Sequence, residues 1–116
     1  MSISDEKYLQ RIVKKYELVK LDSRYYISYA PKPTSCLEFG GGLLKYDGGS
    51  FFTCELEPKF DNRSKTLTAM TYVEVSRNEL EDRVKKIIEY YQNCDLLYKK
   101  ELLDKKIKRI NKDFLL

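Results

Sequence analysis

The chain has 116 residues, 42% of them hydrophobic and 34% charged, with a formal net charge of +4. A chain this long builds one domain and buries about two-thirds of its unfolded surface, and its mixed composition argues against wholesale disorder. It contains no His and no Trp, which removes His general bases, Ser-His and Cys-His nucleophile pairs and most catalytic zinc sites.

Near the N-terminus, Tyr8, Leu9, Ile12, Val13 and Tyr16 recur at three- and four-residue steps. The spacing predicts a helix over residues 4–17, capped by Ser2 or Ser4, with Asp5 and Glu6 favourably placed in its first turn. The segment is charged from the start and has no apolar core, so no secretory signal is expected. Cys36, Cys54 and Cys94 are an odd set without paired spacing, which fits reduced thiols in a cytoplasmic or host-cell interior. No run reaches the ~18 apolar residues of a membrane span, so no membrane partner is expected.

"SRYYISYAP" then reads as a strand, stopped by Pro31 and Pro33. All five glycines follow within "CLEFGGGLLKYDGGSFFTCELEP". Dinucleotide fingerprints and P-loops need a helix start to supply amides and dipole to a phosphate, and this stretch offers none. It reads instead as a hairpin turning at Asp47-Gly48 or Gly48-Gly49, with the glycine triplet marking a bulge or a close backbone approach. Either register groups Phe39, Leu43, Phe52, Cys54 and Leu56 on the face expected to be core. Leu44, Tyr46, Phe51 and Thr53 fall on the other face, which a second layer or a partner must cover. With no His, Cys36 and Cys54 read as buried free thiols, and no metal or cofactor is expected. "KTLTAMTYVEVS" reads as one further strand, with Leu67, Ala69, Val73 and Val75 sharing a face.

Ser76 with Glu79 forms a capping box. Leu80, Val84, Ile87, Ile88 and Tyr91 then mark a helical stripe that runs on through Cys94 and Tyr98. A different register follows, Leu96, Leu103, Ile107, Ile110 and Phe114, and the change predicts a helix break near Asn93 to Asp95. Residues 1–116 are thus expected to form a single α+β domain in α-β-β-β-β-α-α order. Its antiparallel β-sheet of three to four strands carries an N-terminal helix and one or two C-terminal helices.

The charge excess is local. Residues 95–116 hold seven basic and four acidic side chains, so +3 of the net +4 lies there. Lys99, Lys100, Lys105, Lys106, Lys108, Arg109 and Lys112 sit opposite or beside the apolar register. The result is a basic amphipathic helix of the kind that docks on acidic protein surfaces or nucleic acid.

Glu55, Glu57 and Lys59, with Asp47 ten residues before Glu57, resemble the PD-(D/E)xK nuclease pattern. That resemblance implies Asp47 and Glu57 as Mg²⁺ ligands and Lys59 as the helper of the attacking water. Here the x position is Pro58, and Tyr46 stands where the family motif has Pro. "TYVEVSRNELEDRVKKIIEYY" resembles the hairpin-to-coiled-coil junction of α-type prefoldin subunits. Those subunits carry long helices on both sides of their hairpins, whereas the N-terminal helix here has about four turns.

Ten tyrosines in a small chain favour a contact surface, because Tyr supplies area at low entropic cost. The expected function is that of a small non-enzymatic intracellular binding protein that occupies a protein or nucleoprotein partner, as phage- or mobile-element-type inhibitors do. The expected binding residues are Leu44, Tyr46, Phe51 and Thr53 on the sheet and Lys99, Lys105, Lys106 and Arg109 on the terminal helix. A homodimer through the 80-84-87-91-94-98 seam is a further expectation. The alternatives are a Mg²⁺-dependent nuclease using Asp47, Glu57 and Lys59, and nucleic-acid binding through the basic helix.

Overall fold

The computed structural model describes residues 3–114, with side chains through Ile110. Ser2, one of the two expected caps, lies outside these residues, as do the side chains of Lys112 and Phe114. The elements in chain order are α1 (Ile3–Lys15), β1 (Val19–Leu21), β2 (Ile27–Ala30), β3 (Glu38–Gly40) and β4 (Leu44–Asp47). They continue with β5 (Ser50–Cys54), β6 (Lys59–Asp61), β7 (Thr66–Thr68), β8 (Tyr72–Val75) and α2 (Arg77–Phe114). The class is α+β, as expected. An antiparallel sheet in the order β1-β2-β4-β5-β8 is joined by a second, mixed sheet in the order β3-β7-β6.

Helix α1 ends at Lys15, two residues before the expected end. Glu17 takes a left-handed φ of 52° and the Leu18 amide closes on the Val13 carbonyl, a reversal that satisfies a terminal carbonyl. Ser4 lies inside the helix rather than capping it, and its oxygens accept from the Arg77 guanidinium at 2.8 and 3.1 Å. Arg77 also lies 4.6 Å from the Tyr8 ring centre, and the Tyr8 hydroxyl donates to the Arg77 carbonyl. The starts of the two helices are thereby clamped side by side.

The hairpin turns at Gly48-Gly49, with Asp47 opposite Ser50. Both glycines have positive φ, 59° and 82°, as a type I′ turn requires. Gly42 serves a different need, since a Cβ there would stand 2.1 Å from the buried Ser28 Oγ. The triplet is thus a close approach, as expected of it.

The hairpin face expected to need a second layer or a partner is the one that the protein's own helices cover. Leu44, Tyr46, Phe51 and Thr53 lie on the side the helices cover, at 7% exposure or less. Leu44, Tyr46 and Phe51 form one core with Leu9 and Ile12 of α1 and with Leu80, Val84 and Ile87 of α2, and the buried Thr53 hydroxyl accepts from the Arg83 guanidinium at 2.8 Å. The second layer is the protein's own, so these four residues are buried and not a binding face. Of the residues expected to be core, Leu43 and Cys54 are fully buried, Phe39 and Phe52 are half-buried and Leu56 is exposed. Both faces carry enough apolar surface to attract a helix pair, and alternation alone does not say which one receives it.

The expected single strand from Lys65 to Ser76 is two strands in different sheets. The Glu55 carboxylate accepts from the Met70 amide at 3.0 Å and the Thr71 amide at 3.0 Å, drawing the chain out of the ladder between β7 and β8. Glu55→Ala is expected to cost about 1–2 kcal/mol, because two amides lose a charged acceptor. Glu57→Ala, at an exposed position, is expected to stay within about 0.5 kcal/mol. Urea denaturation of the two variants checks this, and equal midpoints would contradict it.

Candidate partner-binding helix

Helix α2 is unbroken across 38 residues, roughly 57 Å at 1.5 Å per residue. The break expected near Asn93 to Asp95 does not occur. What changes there is the side of the helix that carries apolar residues. Leu80, Val84, Ile87 and Tyr91 are buried against the body, with Cys94 and Tyr98 half-buried in line with them. At about 100° per residue, the stripe of Leu96, Leu103, Ile107 and Ile110 lies about 150° around the helix from that seam. The first stripe packs on the two sheets and the second points away from them. The expected homodimer through the 80-to-98 seam therefore has no surface to use, because the body occupies it.

Asp95 marks the handover. Its side chain is 5% exposed, yet it is fully engaged. Oδ1 accepts from the Thr34 hydroxyl at 2.6 Å, the Cys36 amide at 3.0 Å and the Leu37 amide at 3.1 Å, while Oδ2 pairs with Lys99 at 3.0 Å. Burial pushes the carboxyl pKa up. The hydrogen bonds from Thr34, Lys99 and the Cys36 amide, with the Lys99 charge, outweigh it and hold the group below its ordinary value. One turn earlier the Tyr91 hydroxyl donates to the Leu37 carbonyl and accepts from the Thr34 amide. The 34–37 loop is tied to α2 at both positions. Tyr98 makes the last aromatic contacts, with Phe60 at 6.0 Å and with Lys65 5.4 Å from its ring centre.

Beyond Tyr98 the helix leaves the body. Every described side chain from Lys99 to Ile110 is exposed, including Leu103 at 57%, Ile107 at 47% and Ile110 at 47%. The projection stretches the molecule to 68 × 24 × 20 Å and its radius of gyration to 17.6 Å, against about 13 Å for a compact chain of this length.

The four basic residues expected to bind are thus on one element but not in one patch. Lys99 is paired with Asp95 and Lys105 with Glu101 at 3.5 Å. Lys106 and Arg109 are exposed and make no ion pair among the described residues. By helical angle, Lys105, Lys108 and Arg109 share the face opposite the apolar stripe, while Lys99, Lys100 and Lys106 border it. Sequence reading missed Asp95, although an acid directly after Cys94 in an apolar stripe was the available signal. It also missed Lys45, whose ammonium sits 3.6 Å from the Tyr72 ring centre and 4.6 Å from that of Tyr26 on the sheet face away from the helices.

The carboxylates of the nuclease pattern do not converge. Asp47 is at the hairpin tip, while Glu57 lies three residues beyond the far end of β5, a strand of about 16 Å. Glu55 is committed to the two backbone amides. Lys59 lines an open depression of about 400 Å³ with Phe60, Asp61, Asn62, Thr68 and Met70. No cluster of three or more His, Cys, Asp or Glu able to hold a metal exists among the described residues. Burial pushes the Cys54 thiol up to about 12, which makes it an inert packing group. No helix among the described residues is long and apolar enough to cross a membrane.

Comparison with known proteins gives no matching family model, no matching curated protein and no matching solved structure.

The Asp95 geometry makes a signed pH prediction. A carboxyl whose folded pKa lies below its unfolded value contributes stability above the unfolded value, near 3.8. It loses that contribution as pH falls toward the folded value. Asp95→Asn is expected to destabilise the protein by about 1–3 kcal/mol at pH 7. The deficit is expected to shrink as pH falls below about 4. Thermal melts of both proteins from pH 7 to pH 3 check this, and a deficit constant with pH would contradict it.

Proposed function

We propose that the chain is a non-catalytic binding protein that engages an acidic protein or nucleoprotein through the projecting end of α2. The observation that carries this reading is the run of exposed residues from Lys99 to Ile110 on a continuous helix, none of them part of the described core clusters. A helix of four turns standing alone in water is marginal, and one that also exposes large apolar side chains gains most of its stability from a partner. The face bearing Lys105, Lys108 and Arg109 supplies long-range attraction to negative surfaces, which speeds encounter and orients the helix. A protein of this design acts by occupancy, its helix docked and its body covering the partner's surface. A phage- or mobile-element-type inhibitor acting inside a host cell fits this design.

The test places a photo-reactive residue at position 108 and, separately, at Lys20 on β1, and recovers adducts from native host cells by mass spectrometry. Adducts at position 108, lost in a Lys105→Glu, Arg109→Glu double variant, are the expected result. Adducts from position 20 with none from position 108 would contradict it. A nucleic-acid adduct at position 108 assigns the helix to nucleic acid, and a gel shift that weakens with salt accompanies that outcome. Plasmid incubated with Mg²⁺ or Mn²⁺ is expected to stay intact, whereas cleavage lost in Glu57→Ala would overturn the non-catalytic reading.

A further inference from the structure

We infer that the apolar stripe on the projecting half of α2 is the seam of a parallel, in-register coiled coil with a second copy of this chain. This pairing shares the exposed helix with the reading above but assigns its apolar face to a second copy, leaving only the basic face to the acidic partner; loss of the dimer with retained capture at position 108 separates the two.

The stripe falls into a heptad frame. Lys100 and Ile107 occupy the first core position, with Phe114 next by sequence, and Leu96, Leu103 and Ile110 occupy the second. A β-branched residue at the first core position with leucine at the second favours two strands, and a single lysine in the core fixes register and two-stranded pairing at some cost in stability. Leu96, Leu103, Ile107 and Ile110 are all exposed, Leu96 at 62%, and the described residues offer them no partner within the chain.

Sterics and charge then select the orientation. The stripe lies about 150° from the seam that holds α2 to the sheets, so two helices paired along it carry their bodies on the outside. A clash at the base is avoided, and Leu96 is free to form the first layer. In a parallel pair, Lys99 flanks the core five residues before Asp104 of the second copy; with one N–H donor kept on Asp95, its ammonium adds an opposite-charge contact made twice by symmetry. Lys105, Lys108 and Arg109 are left on the outer faces. The dimer therefore presents two copies of the basic surface rather than consuming it, and a bivalent ligand meets both at a raised effective concentration.

Sedimentation velocity on the full chain tests this. A concentration-dependent equilibrium between monomer and a species of twice the mass is expected. Ile107→Asp is expected to abolish the larger species at every concentration tested, and because Ile107 touches no core residue the body's thermal melt is expected not to move. The paired segments carry excess positive charge, so added salt is expected to strengthen association; a nucleic acid or acidic protein on the same helix shows the opposite dependence. Register is read by disulfide trapping. Lys100→Cys in a Cys36→Ser, Cys94→Ser background is expected to form a covalent dimer on oxidation, and Arg109→Cys in the same background is not. A monomer at all concentrations overturns the proposal, as does trapping at position 109 but not at 100, or a dimer that survives Ile107→Asp.

Discussion

The Asp95 carboxylate stands where α2 ceases to belong to the body. Three donors from the 34–37 loop and the Lys99 ammonium converge on its nearly buried carboxylate. An acid held in this way does not let the helix slide or rotate, because any movement strands a buried charge. The residues before it, Leu80 to Tyr91, are thereby held on the sheets, and those after it are held off them. Everything that distinguishes the outer helix, its exposure, its two opposed faces and its reach, follows from that fixed point. The 34–37 loop leads directly into β3, so the second sheet is anchored by the same contact.

Core and projection are joined by a change of side rather than a change of structure. Along the first half of α2 the apolar stripe meets the aromatic face of the hairpin, where Tyr46 and Phe51 stack edge to face at 4.9 Å and Tyr8 meets Phe51 at 6.0 Å. Leu80, Val84 and Ile87 are buried there and contribute roughly 1.5–3 kcal/mol each before entropy is counted, while Tyr91 is buried in a second cluster with Leu37 and Leu67. Along the second half the stripe has crossed to the far side and meets only solvent. Neither core cluster includes a residue beyond Tyr98, so a partner on the projection would draw no side chain out of the core.

Much of this was legible in the sequence. The period of Tyr8 to Tyr16, the glycine-rich hairpin, the Ser76 boundary and the α+β class all depend on local chemistry, and all are found. The shift of register after Tyr98 was also legible, but its meaning was not. Two stripes on one chain describe two helices or one helix with two partners, and only the tertiary contacts of Asp95 decide between them. The hairpin faces failed for a related reason, since Leu44, Tyr46 and Phe51 are as apolar as Leu43, Phe52 and Leu56. The crossover after β7 depends on Glu55, a residue fifteen positions before the amide it holds, and no local pattern records that pairing. Of the expected binding residues, the basic four are on an exposed element, while Leu44, Tyr46 and Phe51 are core with Thr53 buried beside them, because a cation is kept outside by solvation while an apolar face goes wherever a helix covers it.

The central claim is that α2 beyond Tyr98 is a helix without support from its own body, and amide hydrogen exchange as a function of protein concentration measures this directly. Residues 80–95 are expected to be protected equally at all concentrations. Residues 99–110 are expected to exchange fast when dilute and to gain protection as concentration rises. Protection of residues 99–110 that matches residues 80–95 and ignores concentration would contradict the account, since the outer helix would then be packed on the body.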